Sequence, residues 1–366
     1  MARNRAATAP YVELDARNFR TRIDGKPVDL YTIRNQAGME VRITNYGARI
    51  EQILVPDRHG RLGDVVQGYE TIDQVRSGQA SMGAFIGRYA NRIAHGRFTL
   101  DGREHQLSLN SGPHSAHGGI KGSRFQVFAA RQLSGASVEM TYLFGDGEEG
   151  YPGTLPLRVV YRVTDQNELA IDYSAVAVDK PTILNLTSHA FFNLSGRLGE
   201  PVLDHVVTIH ADRVLEVDDG LIPTGTLRDV AGTPMDFRTP AAIGSRIDQD
   251  HELLKRAGGF DHTFVLHDAG GGGVRLAARV EEPESGRVME VWSTEPGLQF
   301  FTANALTGQA PRDVGKGNTP YVARSAFCLE PQHYPDSPNH PAFPSTVLRP
   351  GAWYSGQIVY RFSTRG

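Results

Sequence analysis

The stretch Phe98-Thr-Leu-Asp101-Gly102-Arg-Glu-His-Gln-Leu107 decides the fold class, because it predicts a β-hairpin from local chemistry alone. Asp-Gly at its centre supplies the positive φ angles of a type I′ turn, whose twist matches that of two antiparallel strands. The rest of the chain shows a similar pattern, because 40 glycines and 21 prolines separate many short runs of strand-forming residues. The sequence therefore predicts an all-β fold.

Two further hairpins follow from the same pattern. Leu157–Val163 and Leu169–Val178 flank one polar turn, and Val274–Val280 and Val288–Ser293 flank another. Additional strands are predicted at Val41–Thr44, Val138–Phe144, Thr182–Leu186, Val206–His210, Leu298–Thr302 and Ile358–Phe362. A fold with this many strands must cover the edges of its sheets, because an exposed edge strand can pair with another chain.

Helical pattern is scarce, with Pro240–Ala257 the best candidate and Ile72–Ser77 a weaker one. No linker, repeat of fixed period or break in composition divides the 366 residues. We therefore predict one large antiparallel β-sandwich domain, residues 1–366, with few short helices. Residues 1–10 are expected to form a flexible N-terminal extension.

The amino-acid composition limits the classes of protein to which the chain can belong. The chain is 40% hydrophobic, enough to bury a large core without disulfides or metals. Its 38 basic and 41 acidic residues are not gathered into long runs, so we expect no nucleic-acid partner and no membrane surface. The N-terminus lacks the apolar run of a signal peptide, and no stretch approaches the ~20 apolar residues of a membrane-spanning helix.

Cys328 is the only cysteine, which excludes a disulfide framework and favours a reducing cytoplasm. A nucleophilic role beside Glu330 is the alternative. A lone cysteine in Ala-Phe-Cys-Leu is more often a small buried hydrophobe, and nothing around it predicts a lowered thiol pKa.

Two segments each place one titratable side chain among residues that favour burial in a strand. They are Asn185-Leu-Thr-Ser-His189-Ala-Phe-Phe-Asn193 and Ala326-Phe-Cys-Leu-Glu330-Pro-Gln332. A buried His or Glu is costly unless it is paired, so the two residues suggest a general acid and a general base. The competing interpretation is that His189 is a core residue satisfied by a backbone carbonyl.

Other polar residues lie in glycine-rich segments where a sandwich places its sites. Gly87-Arg88-Tyr-Ala-Asn91-Arg92-Ile93 is either a solvated turn or part of a site. His114 and His117 have a spacing that suggests a metal site, but zinc needs further ligands on a rigid frame. Hydrogen bonding of one histidine to a polar ligand is the alternative.

Two candidates for ligand binding lie further along the chain. Asp261 precedes an apolar run, where a turn or cap is the common role of an aspartate. Gln299 is followed by Phe300 and Phe301, and an amide beside aromatic rings suits a sugar, whose hydroxyls and C–H face they contact.

With these segments assembled, the chain resembles the aldose 1-epimerases, also called galactose mutarotases, from about residue 30 to the C-terminus. The motifs that carry the resemblance are Asn45-Tyr-Gly47, Gly87-Arg-Tyr-Ala-Asn-Arg-Ile93, His117-Gly-Gly119, Asp146-Gly-Glu-Glu-Gly-Tyr-Pro152, Asn185-Leu-Thr-Ser-His189, Leu221-Ile-Pro-Thr-Gly225, Phe260-Asp-His262, Pro296-Gly-Leu-Gln299 and Cys328-Leu-Glu330. The resemblance implies a single-domain β-sandwich with an open cleft for a sugar. It also implies cofactor-free interconversion of the α and β anomers of free aldohexoses such as D-galactose and D-glucose.

The resemblance assigns roles to the two titratable residues. Glu330 is the expected general base at the anomeric O1 hydroxyl, and His189 is the expected general acid at the ring oxygen O5. The open-chain aldehyde then turns about C1–C2 and the ring recloses. The substrate-binding residues that the resemblance implies are Asn91, Arg92, His117, Asp261 and Gln299.

Further expectations concern the surroundings of the site. From sequence adjacency, Phe192, Phe300 and Phe301 are expected to wall the cleft. No metal is expected, the partner is a small sugar, and the protein is expected to be a monomer or homodimer. The chain departs from the family pattern at Pro331 and at Ala190-Phe191. Neither departure removes a proton-transfer group.

Three alternatives stay open. An epimerase of a phosphorylated hexose would add cations for the phosphate, for which Arg88, Arg92 and Arg124 are available. A non-catalytic sugar-binding module would not need both His189 and Glu330. A glycoside hydrolase would use Glu330 with Asp261, at a separation that the sequence does not give.

Overall fold

The computed structural model of the protein describes residues 11–267 and 273–365. The predicted N-terminal extension, residues 1–10, therefore lies outside the described residues. Within them, α-helix is confined to α1 (Ile72–Ser77) and α2 (Glu252–Ala257). No described helix has the length and apolar character that a membrane span requires.

Apart from short 3₁₀ turns, strands make up the rest of the regular structure. In chain order they are β1 (Thr21–Ile23), β2 (Lys26–Val28), β3 (Leu30–Arg34), β4 (Glu40–Thr44), β5 (Arg49–Pro56), β6 (Leu62–Asp64), β7 (Phe85–Ile86), β8 (Arg92–Ile93), β9 (Arg97–Leu100), β10 (Arg103–Gln106), β11 (Ser115–Ala116), β12 (Ala129–Ser134), β13 (Ser137–Phe144), β14 (Leu155–Val163), β15 (Glu168–Val176), β16 (Thr182–Ile183), β17 (Thr187–Ser188), β18 (Val206–Ile209), β19 (Ala211–Val217), β20 (Pro223–Asp229), β21 (Ala241–Ala242), β22 (Asp261–Leu266), β23 (Arg275–Glu281), β24 (Arg287–Ser293), β25 (Gly297–Phe301), β26 (Cys328–Gln332), β27 (Val347–Leu348) and β28 (Trp353–Thr364).

Three large sheets organise these strands, and their ladders are antiparallel. The largest has nine strands in the order β12-β13-β14-β15-β28-β24-β23-β18-β21. A five-stranded sheet runs β20-β19-β22-β25-β26, and a four-stranded sheet runs β3-β4-β5-β6. The remaining sheets are two-stranded pairs such as β7 with β17.

One hydrophobic core is shared by the three sheets. Ile43 of the four-stranded sheet, Phe300 of the five-stranded sheet and Tyr360 of the nine-stranded sheet belong to the same buried cluster. Strand β14 shows how the sequence specifies this packing, because Val159 is buried while Arg158 is exposed. Sheets that bury one face against each other form a sandwich, which confirms the predicted all-β class.

Most predicted elements are present. The Asp101-Gly102 hairpin pairs β9 with β10 in the expected register, and the 72–77 helix has the predicted bounds. The predicted strand at 182–186 extends over only two residues.

The predicted helix Pro240–Ala257 is largely wrong, since only Glu252–Ala257 is α-helical. Ala241 and Ala242 instead pair with β18 at the edge of the nine-stranded sheet. Ile243–Ser245 forms only a short 3₁₀ helix. Tertiary pairing overrides the local helical pattern.

Candidate active site

His189 and Glu330 lie side by side at the junction of two strands. His189 directly follows β17, and Glu330 is the middle residue of β26. The imidazole Nε2 lies 3.6 Å from the carboxylate Oε1, and the two side chains are only 6% and 2% exposed. The backbone of His189 is held in place by Gly83 and Ala84, through two hydrogen bonds of 2.9 Å. Two segments far apart in sequence thus form one buried acid–base pair.

The pair opens onto a small cleft of about 150 Å³. Its walls are Gln79, Ser81, Asn91, Arg92, His117, His189, Phe191, Asp261, Phe301 and Glu330. Six of the seven predicted site residues are among them, and Gln299 is the exception. A larger groove of about 790 Å³ beside Trp353 is lined by neither imidazoles nor carboxylates, so it has no comparable chemistry.

Burial shifts the pKa values of the two side chains in opposite directions. Desolvation raises the pKa of Glu330 well above its usual range, the charge of Asp261 adds to this, and Arg92 opposes it. Desolvation also lowers the pKa of His189 to about 3, with smaller contributions from the charges of Arg124 and Arg49. Both neutral forms are therefore favoured. His189 Nδ1 and Glu330 Oε2 are buried without a hydrogen-bond partner.

His117 faces His189 with a defined tautomer. The backbone N–H of Asn91 donates to His117 Nδ1 at 3.3 Å, so the neutral ring carries its proton on Nε2. Burial lowers the pKa of His117 well below its ordinary value, and the neighbouring charges act in the same direction. Its ring lies edge-on to that of His189 at 5.2 Å. His117 is thus a neutral donor beside the acid–base pair.

Asp261 is fixed by neighbours on two sides. Gln299 Nε2 donates to its Oδ1 at 2.5 Å, and Arg92 Nη2 lies 3.6 Å from its Oδ2. The amide oxygen of Gln299 accepts from Thr263 Oγ1 at 2.5 Å, so both ends of this side chain contact protein groups. Gln299 pairs with Glu330 in the sheet register and with Thr263 on the other side. Gln299 therefore positions Asp261 from behind the cleft wall.

Aromatic rings form the apolar wall. Phe191 stacks on His189 at 5.1 Å, and Phe301 lies edge-on to the same imidazole at 6.3 Å. Phe301 was predicted here and lines the cleft. The prediction was wrong for Phe192 and Phe300, which are fully buried in the core. Neighbouring residues of extended chain point to opposite faces, so only one of each adjacent phenylalanine pair can face the cleft.

A metal site has little support. Among the described residues, one group offers three possible ligands, His189, Cys328 and Glu330, with ligand atoms within 4.8 Å of one another. Burial raises the pKa of the Cys328 thiol well above its ordinary value, so a metal would have to displace the proton of this thiol to bind it. His114 Nδ1, part of the other candidate, accepts from the backbone N–H of His95 at 3.1 Å. We assign no metal to these residues.

Sequence reasoning missed three residues of the cleft wall, Gln79, Ser81 and Phe191. Gln79 and Ser81 lie in the loop after α1, whose carbonyl groups are bound by the buried Arg49. No local pattern marks this loop, because its placement depends on a contact with a distant strand. Phe191 was missed because its neighbour Phe192 was predicted to line the cleft instead.

The chain matches known proteins along most of its length. The family model described as Aldose 1-epimerase matches residues 29–361. Galactose mutarotase of Bos taurus is 43% identical over 325 residues, which cover 89% of this chain and 91% of that protein. Aldose 1-epimerase of Escherichia coli strain K12 is 38% identical over 343 residues, covering 93% of this chain and 96% of that protein.

Solved structures show the same architecture. An aldose epimerase homologue from C. elegans superposes with a TM-score of 0.84 at 31% identity, covering 93% of this chain and 100% of that one. Galactose 1-epimerase from Lactobacillus acidophilus gives a TM-score of 0.82 at 27% identity, covering 94% and 97%. The fold described above is therefore similar to that of these two proteins.

Proposed function

Because the chain belongs to the aldose 1-epimerase family and is an isomerase that interconverts sugar anomers, we propose that His189 and Glu330 are its acid–base pair. The observation that carries this proposal is the 3.6 Å approach of the two side chains at the wall of a cleft that is also lined by His117, Arg92 and Asp261. The proposed substrate is a free aldohexose such as D-galactose or D-glucose.

Ring opening needs one group that takes a proton and one that gives a proton. Glu330 takes the proton of the anomeric O1 hydroxyl while His189 protonates O5 and the C1–O5 bond breaks. After rotation about C1–C2, O5 attacks the other face of the aldehyde, His189 takes back its proton, and Glu330 returns one to O1. Proton transfers of this kind typically contribute about 10²- to 10⁴-fold each.

The pair works with a single shared proton. Desolvation favours neutral His189 and protonated Glu330. The open-chain sugar recloses from this protonation state of the pair. When the proton moves from Glu330 to His189, the pair has the protonation state from which the ring opens. The two forms differ only in the position of one proton between atoms 3.6 Å apart. The titration therefore belongs to the pair and not to either residue.

The rest of the cleft suits a sugar ring. Arg92 and the Nε2–H of His117 donate toward oxygen atoms, and Asp261 accepts from ring hydroxyls. His117 and Arg92 also stabilise negative charge that develops on the ring oxygen. Phe191 and Phe301 offer an apolar surface to the C–H face of the sugar.

A phosphorylated hexose is disfavoured by the state of the arginines. Arg88 is 1% exposed, and its Nη2 donates to the carbonyls of Pro152 and Gly153, each at 2.7 Å. Arg124 donates to the carbonyls of His117 and Gly119. Of the three candidate arginines, Arg92 alone reaches the cleft.

We also infer the setting in which the protein works. The core shared by the three sheets supports a single catalytic domain. The buried free thiol of Cys328 supports a reducing compartment such as the cytoplasm. A monomer or homodimer without nucleic-acid or membrane partners is in keeping with the mixed surface charge of the chain.

Polarimetry of freshly dissolved α-D-galactose tests the function directly. The protein should speed the decay of rotation without changing the final value, in a buffer that does not itself catalyse mutarotation. D-glucose measured beside it gives the sugar preference. An unchanged rate with both sugars, but turnover of a hexose phosphate, would overturn the free-sugar assignment.

The pH dependence of kcat/KM is expected to show a broad plateau, because this quantity reports the titration of the free protein. Activity is lost at low pH when the pair takes up a second proton. Burial lowers the pKa of His189 to about 3. The acid limb of the kcat/KM profile should therefore lie well below pH 6.5, the ordinary pKa of an imidazole. Activity is lost at high pH when Glu330 gives up the shared proton, and its raised pKa moves that limb upward. An acid limb close to 6.5 would contradict the assignment.

A further inference from the structure

Arg49 is a buried cation that the proposed mechanism does not use. It begins strand β5, and its side chain is 1% exposed. Its Nη1 donates to the carbonyl of Met82 at 2.5 Å, and its Nη2 donates to the carbonyls of Ala80 and Arg124 at 2.9 and 3.1 Å. One guanidinium thus binds three backbone carbonyls from two separate segments.

The first segment carries one wall of the cleft and holds His189. Ser81 lies between the two carbonyls that Arg49 binds, and it lines the cleft. Gly83, which directly follows Met82, donates its N–H to the carbonyl of His189 at 2.9 Å. A Cβ on Gly83 would lie 3.1 Å from Arg49 Cγ, so the loop packs directly on the arginine.

The second segment holds His117. Arg124, whose carbonyl Arg49 binds, donates from its Nη1 to the carbonyl of His117 at 3.3 Å and from its Nη2 to that of Gly119 at 3.2 Å. The His117 and His189 rings meet at 5.2 Å. The backbone carbonyls of both histidines are therefore connected to Arg49, each through one intermediate segment that hydrogen-bonds to both.

Burial makes this arrangement costly to maintain. Desolvation lowers the pKa of Arg49, and its ion pair with the fully buried Glu51 spans 3.9 Å. Desolvation raises the pKa of Glu51 to about 7. A buried pair with so loose a contact contributes little stability by itself, which favours a role in geometry.

We propose that Arg49 is a positioning residue for the reaction, because it sets the His117 and His189 loops against each other across the cleft. The proposal rests on the acid–base assignment made above. A displacement of about 1 Å at a reacting group can cost about 100-fold in rate. Arg49 touches no substrate atom in this scheme and acts only through the loops.

Arg49→Met and Arg49→Lys test the proposal by polarimetry with D-galactose. Both variants should lower kcat by about 10- to 100-fold and change KM much less, since Arg92, Asp261 and Phe301 line the cleft from other segments while the proton-transfer geometry is lost. The matched control is Arg287→Met. Arg287 is also buried, and it binds the carbonyls of Val55, Leu194, Ser195 and Arg61 away from the cleft. Its loss should lower the melting temperature and leave kcat unchanged.

The pH profile separates positioning from general loss of stability. The titratable side chains beside His189 are those of Glu330, His117 and Cys328, and the charges of Arg124 and Arg49 lower its pKa. Arg49→Met should therefore move the acid limb to higher pH, whereas Arg49→Lys, which keeps the charge, should leave the limb near its original place.

The outcomes are distinguishable. Arg49 variants that keep the kcat and acid limb of the unaltered protein, or that change only stability as Arg287→Met does, would overturn the positioning role. If the unaltered protein itself fails to accelerate mutarotation, the proposed function fails first. A low kcat in both Arg49 variants, with a shifted acid limb in Arg49→Met alone, would support the inference.

Discussion

Glu330→Gln is expected to lower kcat by about 10²- to 10⁴-fold while the fold stays intact. Gln is nearly isosteric with a carboxyl group, and burial already favours the neutral form of Glu330. The substitution therefore removes proton transfer without burying a new charge. Polarimetry gives the rate, and thermal unfolding should give a melting temperature close to that of the unaltered protein.

Cys328→Ser is the matched control for this substitution. Cys328 lies two residues before Glu330 on the same strand face and is fully buried, so the change perturbs the same packing. It should lower the melting temperature slightly and retain activity, because the protonated thiol takes no part in the reaction. Equal activity loss in Cys328→Ser and Glu330→Gln would mean that packing, and not the carboxyl group, explains both.

His189→Asn should lower kcat by a similar factor of about 10²- to 10⁴-fold, because no group then gives a proton to O5. It should also destabilise the protein by about 1–2 kcal/mol, since the stacking of the imidazole on Phe191 is lost. The measurement is a kcat/KM profile against pH, in which the acid limb due to His189 should disappear. Substantial activity with an unchanged acid limb would rule out His189 as the acid.

The double variant tests whether the two residues act together. Two members of one proton-transfer unit give losses that do not add, because removing either already stops the concerted step. Glu330→Gln combined with His189→Asn should therefore be little worse than either change alone. Multiplicative losses would indicate two independent roles.

Elements of the fold that depend on a few neighbouring residues could be predicted from the sequence. The Asp101-Gly102 turn was found because two residues specify its geometry. Strand β5, Arg49–Pro56, was missed because it is buried on both faces and shows no alternation of apolar and polar residues. Pro240–Ala257 failed for the opposite reason, since an amphipathic pattern was present but contacts with β18 determined the structure.

The same distinction explains the site. His189 and Glu330 could be found because titratable residues in apolar strands are unusual. Gln79 and Ser81 could not be found, because a buried arginine from another strand places their loop. Gln299 was predicted to contact the sugar, yet its amide is bound by Thr263 and Asp261. Only the spatial arrangement shows which polar groups already have partners.

The deep burial of the acid–base pair affects how the protein exchanges protons with its surroundings. In the mechanism proposed above, the proton that leaves O1 when the ring opens is held by Glu330 and returned when the ring closes, and His189 likewise recovers the proton it gave. Each catalytic cycle is therefore self-contained and draws no proton from bulk water. The side chains need no path to solvent, and turnover becomes independent of buffer concentration. Whichever anomer enters the cleft, the pair ends the cycle in the protonation state in which it began, so it can next react with either anomer.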